Sequence, residues 1–524
     1  MGNALCGVVS LVGLRARLSF AAPAAVIVLA MTLLTGAAAQ AEGTLRVGAT
    51  SLPPPLGNPY AAGVFPSWHT WTAMYDALTV VDKSGTAVPA LATSWSNVRD
   101  TAWQFKLRSG VRFDNGEALD ATAVATIINW LKSEPGKATS VGRQVAGIAS
   151  ARVVDAMTVE IETTNPDAIL PGRLSSVFFV APKAWEDMGA EGYAKNPIGT
   201  GSFKPESWTP EGVVFSARPD SWRPPLVSNL EILPMGERPA RVQALVSDQI
   251  DIAVSISVDN IAQVEAAGQR VASTPSTTAL ALNFVQSGNA TASNEETVFT
   301  DVRVRQALNY AVDKEAIVKH LLGGVGAVSS QGATPNTFGY DAEIAPYPYD
   351  PAKARELLTA AGFPNGFDVV TEIVVGFVAQ DGEIYQRVAE DLAKVGVNME
   401  LRQITSAVWI KNFLGGTWGG DAFGAGYNSA PYNDAIRFMV FTSCKKPNPY
   451  FCDESVVPLI DKSDTLFDVD ERREALQELL AIHHDLAPSI FLVESFDLAG
   501  YSKRLNGFEN LGKTFNYDKI SIAQ

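Results

Sequence analysis

Segments with the period of a β-strand alternate with segments with the period of a helix along the chain after residue 43. "TLRVGAT" at 44–50 alternates apolar and polar residues as a strand does. After Asp120, a residue type that caps helices, Val124, Ile127 and Leu131 recur on one side of a helical stretch. No repeat with a period of about 20 to 50 residues is present. This alternation predicts an α/β fold built from packed layers.

Two further segments carry clear start and stop signals. In "YDPAKARELLTAAGF", Asp350 predicts the cap of a helix and Gly362 predicts its end. "WQFKLRSGVRF" at 103–113 predicts a β-hairpin that turns at its Ser-Gly dipeptide.

The first 41 residues have the features of a secretory signal peptide. Arg15 and Arg17 precede an apolar run that ends in small residues, so we expect cleavage after Ala39 or, in preference, after Ala41. The run is shorter than the stretch of about 20 apolar residues that spans a membrane, which leaves a retained membrane anchor as the minor alternative. Cys6 lies ahead of the run rather than at the cleavage point, so a lipid anchor is not predicted. We expect a soluble protein exported to the periplasm.

The chain is acidic, with a net charge of −15 that becomes −17 when the signal peptide is removed, because that segment holds two arginines and no acidic residue. Such a charge makes nucleic acid an unfavourable partner. Apolar residues make up 47% of the chain and charged residues 19%, which allows a large core in two or three domains. We expect a monomer.

Cys444 and Cys452 remain after cleavage, and the turn-rich stretch "KKPNPYF" separates them. An oxidising compartment favours their pairing, so we predict a structural disulfide, with two free thiols or a metal pair as the alternatives. The chain-entropy relation gives a loop this short a stabilisation of about 2.5 kcal/mol.

The sequence holds little support for catalysis or a cofactor. It has no G-x-S-x-G or H-E-x-x-H motif, and its four histidines include the adjacent His483 and His484, which cannot share one helical face. "IGTGSF" at 198–203 lacks the third glycine of a dinucleotide loop, so we interpret Gly199 and Gly201 as parts of a tight turn. We expect no enzyme activity, no cofactor and no metal.

A set of short segments becomes specific when their order and spacing are taken together. They are "PALATSWS" (89–96), "WQFKLRSGVRFDNGEALDATAV" (103–124), "NPIGTGSFKPESW" (196–208), "FSARPDSW" (215–222), "FTDVRVRQALNYAVDKEAI" (299–317), "YDPAKARELLTAAGFPNGF" (349–367) and "RREALQELLAIHHDLAPSIFL" (472–492). In these segments the chain resembles the extracellular solute-binding proteins of peptide, nickel and opine ABC importers, called family 5. The resemblance covers nearly the whole chain after the signal peptide.

The resemblance implies an α/β, periplasmic-binding-protein type II fold with two lobes and an additional domain. The implied domains are the signal peptide at 1–41, lobe I at 42–72, 197–283 and 491–524, domain II at 73–196, and lobe III at 284–490. Proteins of this kind close around a ligand by a hinge motion, and the segments that cross between lobes absorb the change.

The resemblance also implies ligand contacts in an interlobe cleft, mainly from residues 408–438. The expected ligand-binding residues are Phe65, Trp68, Trp409, Trp418, Tyr427, Asn428 and Tyr432. For each aromatic residue, packing in the core is the alternative. His69 stands beside two tryptophans, which keeps nickel binding as a minor alternative.

Two positions depart from the pattern of the oligopeptide-binding members. Ala430 stands where those members have an acidic residue for the peptide ammonium group, and Gly424 replaces an arginine. A buried ammonium group without a carboxylate partner costs several kcal/mol. Asp434, one helical turn away, is the alternative partner. We therefore expect a modified peptide or opine-like solute ahead of an ordinary peptide or a metal chelate.

The resemblance implies the substrate-binding component of an ABC importer, which captures a small solute and delivers it to an inner-membrane permease. A solute-binding sensor or chaperone would use the same cleft, and a secreted hydrolase on this scaffold is a further alternative. "GFENLGKT" at 507–514 matches the phosphate loop of nucleotide hydrolases. Only ten residues follow it, too few for the helix and sheet that such a loop needs, so we interpret it as a chance match in a closing loop.

Overall fold

A computed structural model describes residues 43–61, 67–286, 297–376, 378, 380–512 and 514–523. The predicted signal peptide and its cleavage points lie outside the described residues. Strands and helices alternate along the chain, so the predicted α/β class is confirmed.

The strands are numbered in chain order. They are Thr44–Ala49 (β1), Thr79–Val81 (β2), Ala87–Pro89 (β3), Ala92–Arg99 (β4), Ala102–Leu107 (β5), Ile148–Asp155 (β6), Thr158–Thr163 (β7), Phe203–Thr209 (β8), Gly212–Ala217 (β9), Asn229–Pro234 (β10), Ile252–Ala253 (β11), Arg270–Phe284 (β12), Ala327–Val328 (β13), Phe367–Ile373 (β14), Val397–Gln403 (β15), Ala422–Asn428 (β16), Ser489–Tyr501 (β17), Leu505–Asn506 (β18) and Ser521–Ile522 (β19).

The α-helices are numbered in the same way. They are Trp68–Met74 (α1), Ala121–Leu131 (α2), Glu134–Lys137 (α3), Ser140–Gln144 (α4), Leu170–Arg173 (α5), Pro182–Lys195 (α6), Arg238–Val246 (α7), Ile261–Ala266 (α8), Val302–Ala311 (α9), Lys314–His320 (α10), Pro351–Ala360 (α11), Asp381–Ala393 (α12), Ser406–Gly415 (α13), Ala435–Phe441 (α14), Val457–Ser463 (α15) and Val469–Leu486 (α16).

Among the described residues, eleven strands form one large mixed sheet, in the order β15-β14-β16-β12-β17-β11-β1-β10-β9-β8, with β13 on the side of β17. The predicted ranges of lobe I and lobe III lie at opposite ends of this order. The long antiparallel strands β12 and β17 stand between them and pair from Arg270 and Tyr501 at one end to Asn283 and Ser489 at the other. These two strands therefore connect the two ends of the sheet.

The range predicted for domain II builds a separate antiparallel sheet, in the order β4-β5-β7-β6. One buried apolar cluster joins it to the lobe I range and includes Val47 of β1, Phe105 of β5 and Tyr517 near the C-terminus. The lobe III range has its own clusters, in which Ile384 and Leu476 are fully buried. The range predicted for domain II therefore shares a core with the range predicted for lobe I.

The capping signals in the sequence are confirmed, whereas the hairpin at 103–113 is wrong. Asp120 accepts a hydrogen bond from the Ala123 backbone N–H, and Asp350 accepts one from Lys353 N–H. Strand β5 pairs with β4 and β7 rather than with the segment that follows the Ser-Gly turn. The turn is present, but the chain beyond it forms only an isolated bridge from Arg112 to Ala118.

Gly199 and Gly201 bring the chain against the C-terminal end of α1. A Cβ atom would lie 1.8 Å from the Met74 carbonyl oxygen at Gly199, and 2.6 Å from the Ala73 carbonyl oxygen at Gly201. Both glycines are therefore required for close approach of two backbones. Arg218 holds this turn by donating to the carbonyl oxygens of both glycines.

Candidate functional site

The carboxyl ends of the strands in both lobes point toward each other along the crossing strands β12 and β17. In lobe I, β11 is antiparallel to β17 and ends at Ala253, opposite Gly500. In lobe III, β16 ends at Asn428, opposite Thr278 of β12, and β14 and β15 run parallel to it. Ligands in α/β sheets bind at the carboxyl ends of strands. The zone between these ends is therefore the candidate ligand site.

A stretch of β17 separates the two lobes at this site. On one side of β17, Glu494 pairs with Ala327 of lobe III and Gly500 pairs with Ala253 of lobe I. No strand of the described residues pairs on that side between them. Six residues of an antiparallel strand span about 20 Å. This gap is partly covered, because the Ile256 backbone N–H donates to the Leu498 carbonyl oxygen, and the cavity that remains beside Leu498 is about 10 Å³.

Asn428 lies exposed at the lobe III rim of this zone. Its Oδ1 accepts a hydrogen bond from the Ala430 backbone N–H at 2.8 Å and one from the Thr277 hydroxyl at 3.4 Å. Because a backbone N–H is always a donor, the atom that faces it is the amide oxygen, and the Nδ2 group points elsewhere. The two N–H donors of the Asn428 Nδ2 group are therefore not used in these hydrogen bonds.

Tyr432 and Arg437 follow Asn428 along the chain, and both touch this rim. The Arg437 Nη1 donates a hydrogen bond to the Asn428 backbone carbonyl. The Tyr432 ring lies 4.9 Å from the guanidinium carbon of Arg173, which belongs to domain II. Burial raises the pKa of the Tyr432 hydroxyl, and the charges of Arg173 and Arg437 act in the opposite direction. Two cations from different parts of the chain therefore flank one phenol.

Asp434 is occupied by Arg472 and is not available as a partner for a ligand ammonium group. The two side chains form a buried bidentate ion pair, with distances of 2.6 Å and 3.0 Å between guanidinium nitrogens and carboxylate oxygens. One of these oxygens also accepts the Ile436 backbone N–H at the start of α14. The alternative in which Asp434 replaces the acid missing at Ala430 loses its support.

Three of the aromatic residues expected to bind ligand are packed inside the protein. Trp418 has no exposed surface and stacks on Phe423, with ring centroids 3.6 Å apart. Tyr427 is 3% exposed, and its hydroxyl is hydrogen-bonded to Ser489. Trp68 is 8% exposed. In this conformation their contribution is packing, and their role as ligand contacts stays a prediction.

The other two aromatic residues are placed differently. Trp409 on α13 is partly buried and stacks on Phe413 at 5.0 Å, near the fully buried Trp418. Phe65 lies outside the described residues. Of the seven predicted ligand residues, Asn428 accepts a hydrogen bond from Arg437, and the charge of Arg437 acts on the pKa of Tyr432. The sequence did not single out Arg437, although Lys411 is the only other basic residue in 408–438.

His69 lies on the lobe I side, against the closing loop that resembles a phosphate loop. Its imidazole stacks on Phe515 at 4.7 Å, and burial lowers the pKa of His69 to about 4, while a hydrogen bond involving the Gly512 backbone opposes this shift. His69 is therefore neutral at pH 7 and packs the loop. After Thr514 the described residues hold a 3₁₀ turn and β19 but no α-helix.

The disulfide between Cys444 and Cys452 is present, as predicted, with a Cα–Cα distance of 4.5 Å. With Glu454, these cysteines are the only group of His, Cys, Asp and Glu in the described part of the chain whose ligand atoms lie close enough for a metal ion. Sulfurs joined in a disulfide are not the thiolates that bind metals. This group therefore serves the covalent link.

Domain II meets lobe III at a second place, which we call the seam. Ala168 N–H donates to the Asp464 carbonyl oxygen at 3.0 Å, and Phe467 packs edge-on against Trp103 at 5.7 Å. A cavity of about 90 Å³ remains in the seam and reaches Tyr432. Tyr432 therefore joins the seam to the rim of the candidate site.

Helices long and apolar enough to cross a bilayer do not occur in the described part of the chain. Two curated relatives are similar in sequence. Heme-binding protein A of Haemophilus influenzae is 26% identical over 477 residues, which is 85% of each chain. The glutathione-binding protein GsiB of Pectobacterium atrosepticum is 29% identical over 353 residues, which is 66% of each chain.

A solved structure shows the same fold. The ABC transporter-associated periplasmic binding protein DppA of Helicobacter pylori, in complex with the peptide STSA, matches 92% of this chain and 98% of its own, with a TM-score of 0.70 at 21% identity. The predicted two-lobed binding-protein fold is thereby confirmed. Residues 86–448 match the model of the bacterial extracellular solute-binding proteins, family 5 Middle. The chain is a non-catalytic member of this family of bacterial extracellular solute-binding proteins, family 5.

Proposed function

We propose that this protein captures a peptide-like or opine-like solute between lobe I and lobe III and delivers it to an inner-membrane ABC permease from the periplasm. The observation that carries this proposal is that the carboxyl ends of the lobe I and lobe III strands point toward each other along β12 and β17. Glutathione, named for one relative, and the peptide bound to the solved neighbour are both amide-linked solutes. The proposal extends this class to the present chain.

The occupied state of Asp434 supports the preference for a solute without a free ammonium anchor. Ala430 offers no charge, and the Asp434 carboxylate is bound twice to Arg472. A peptide whose ammonium group enters the site would lose its hydration without gaining a carboxylate, which is costly. An opine-like conjugate or a modified peptide avoids that cost.

The proposal is tested by a thermal-shift screen with glutathione, N-acetylated and free tetrapeptides, opines and metal chelates. A ligand present at about 100 times its dissociation constant adds about 2.7 kcal/mol to the free energy of unfolding. For each hit, small-angle X-ray scattering with and without ligand measures the radius of gyration. We expect the radius to fall on binding, because a solute held between the lobes draws them together. A tight ligand that leaves the scattering profile unchanged contradicts capture by closure.

A further inference from the structure

The side chains at the end of β16 present hydrogen-bond donors without matching acceptors. The Asn428 Oδ1 is used by the Ala430 N–H and the Thr277 hydroxyl, so only the Nδ2 donors remain. Arg437 uses one N–H on the Asn428 carbonyl, and a guanidinium has no acceptor at all. The free hydrogen-bonding capacity of both residues is therefore donor capacity.

Tyr432 adds a hydroxyl donor to this group. The Arg173 guanidinium carbon lies 4.9 Å from the centroid of the Tyr432 ring, so the cation contacts the face of the ring. The phenol O–H is a donor as well as an acceptor, so it can donate a hydrogen bond to a ligand. Arg173 is itself held by Asp167 of domain II at 3.0 Å. This arrangement fixes the phenol while leaving its O–H group available.

The positive charge of Arg437 has no counterion among the described residues. No carboxylate of that part of the chain lies within 4.0 Å of its guanidinium, whereas Asp434 is paired with Arg472 and Asp167 with Arg173. Burial lowers the pKa of Arg437, which reflects the cost of partly removing its charge from water. An anion at this position would offset that cost.

We propose that Arg437, Asn428 and Tyr432 form a subsite for a carboxylate group of the solute, an assignment that rests on the function proposed above. The planar guanidinium matches the two oxygens of a carboxylate. The amide and phenol donors supply further hydrogen bonds to the same group. The solute class is thereby narrowed to acids, that is, to peptide-like or opine-like compounds with a free carboxylate near the lobe III rim.

The subsite is tested without knowledge of the natural solute. Succinate, its neutral analogue succinamide and inorganic phosphate are titrated into the full mature protein, and the Nε–Hε NMR signal of Arg437 is followed. The signal is assigned by its loss in Arg437→Gln. We expect a saturable shift with succinate, no saturable shift with succinamide and a weaker response to phosphate. Arg270, which is exposed and lacks an ion-pair partner in the described residues, provides the reference signal.

Affinity is then measured by calorimetry for succinate on the wild-type protein and two variants. The Arg437→Gln variant should bind succinate at least about tenfold more weakly than the wild-type protein. A hydrogen bond to a charged group contributes a factor of about ten or more to the affinity. The Arg437→Lys variant keeps the charge but loses the planar pair of guanidinium donors. Its affinity for succinate should therefore lie between those of the wild-type protein and Arg437→Gln. Arg270→Gln should match the wild-type protein.

Three results would overturn the subsite: no saturable shift of Arg437 with succinate, an equal response to succinamide, or a stronger response to phosphate. These results are separate from the test of the proposed function. If a screened solute compacts the protein and binds equally well to Arg437→Gln, the capture function stands and the carboxylate subsite is wrong. If no solute compacts the protein while succinate binds at Arg437, the subsite stands without capture by closure.

Discussion

At the scale of single residues, the ion pair between Asp434 and Arg472 decides what the rim of the site can bind. Both side chains are buried, and each satisfies the charge of the other through two hydrogen bonds. The pair also lies beside Phe338, whose ring is 5.2 Å from the guanidinium carbon of Arg472. Asp434 is therefore a structural acid, although its position in the sequence suits a ligand contact.

Replacing Arg472 by Met should destabilise the protein by about 3–5 kcal/mol, because the Asp434 carboxylate stays buried without a partner. Urea denaturation at pH 7 measures the loss. Arg473→Met is the matched control, since Arg473 also lies on the Phe338 ring, at 4.5 Å, but pairs with no carboxylate of the described residues. The double variant Asp434→Asn, Arg472→Met should recover most of the loss. Equal costs for the two single variants would contradict a buried pair.

Replacing Ala430 by Asp should introduce a preference for a free ammonium group. The wild-type protein should bind the N-acetylated form of a tetrapeptide more tightly than the free-amine form, because the Asp434 carboxylate is bound to Arg472 and Ala430 offers no charge for the amine. In the Ala430→Asp variant, the free-amine form should bind at least about tenfold more tightly than the acetylated form. Calorimetry on both peptides measures the ratio. If the ratio does not change, the argument that Ala430 marks the missing anchor is wrong.

At the scale of secondary-structure elements, the hairpin formed by β2 and β3 closes the seam between domain II and lobe III. Its turn brings Gly85 so near lobe III that a Cβ atom would lie 2.3 Å from the Phe338 nitrogen and 2.4 Å from the Asn433 carbonyl oxygen. Lys83 of the same turn pairs with Glu509 in the closing loop of lobe I. The hairpin therefore touches both lobes.

Replacing Gly85 by Ala should force the seam apart, and Gly110→Ala is its matched control. The two glycines have φ angles of 77° and 78°, but a Cβ atom at Gly110 meets nothing within 4 Å. Both variants lose about 1 kcal/mol from the left-handed backbone. Gly85→Ala should lose about 1–3 kcal/mol more through overpacking. Thermal unfolding compares them, and hydrogen exchange of the Phe338 N–H, which donates to Asn433, should quicken only in Gly85→Ala.

Local signals explain which elements were predictable from the sequence. Caps such as Asp120 and Asp350 act within four residues, so their helices were found close to their observed ends. The strands that pair with β5 were not predicted. One of them, β7, lies more than 50 residues away along the chain, and the choice of pairing partner depends on tertiary packing. The residues of the candidate site also divide into those that the sequence predicted and those that it did not. Asn428 and Tyr432 were predicted from the family resemblance, whereas the role that we propose for Arg437 follows from its unpaired charge, which only the coordinates reveal.

At the scale of the whole molecule, buried titratable groups make stability depend on pH in opposite directions. Burial raises the pKa of Glu494, on β17 at the lobe III end of the gap, to about 7, although a hydrogen bond with Tyr340 opposes this shift. Burial lowers the pKa of His69 to about 4 and that of His483 to about 3. The histidines stabilise the fold fully above pH 6.5 and lose this contribution as the pH falls. Glu494 contributes fully below pH 4.5 and loses its contribution as the pH rises through 7.

Replacing Glu494 by Gln should therefore change how the free energy of unfolding depends on pH, while the fold is kept. The folded state of the wild-type protein binds more protons than the unfolded state between pH 4.5 and 7, so its stability falls there relative to the variant. Urea denaturation at pH 4.5, 6 and 7.5 should show a difference in unfolding free energy that shifts in favour of Glu494→Gln as the pH rises. Glu265→Gln, at an exposed position, is the control and should show a constant difference. A constant difference for Glu494→Gln as well would contradict the raised pKa.

The pairing of β12 and β17, which resumes after a register shift between Pro275 and Ala279, also limits how the lobes can move. A slip of one residue between two paired strands would turn every side chain to the opposite face, so sliding along the pair is blocked by the cores on both sides. Bending and twisting of the pair keep the register and remain allowed. Rotation of one end of the sheet against the other, by bending or twisting of this pair, is therefore the motion that the two cores allow.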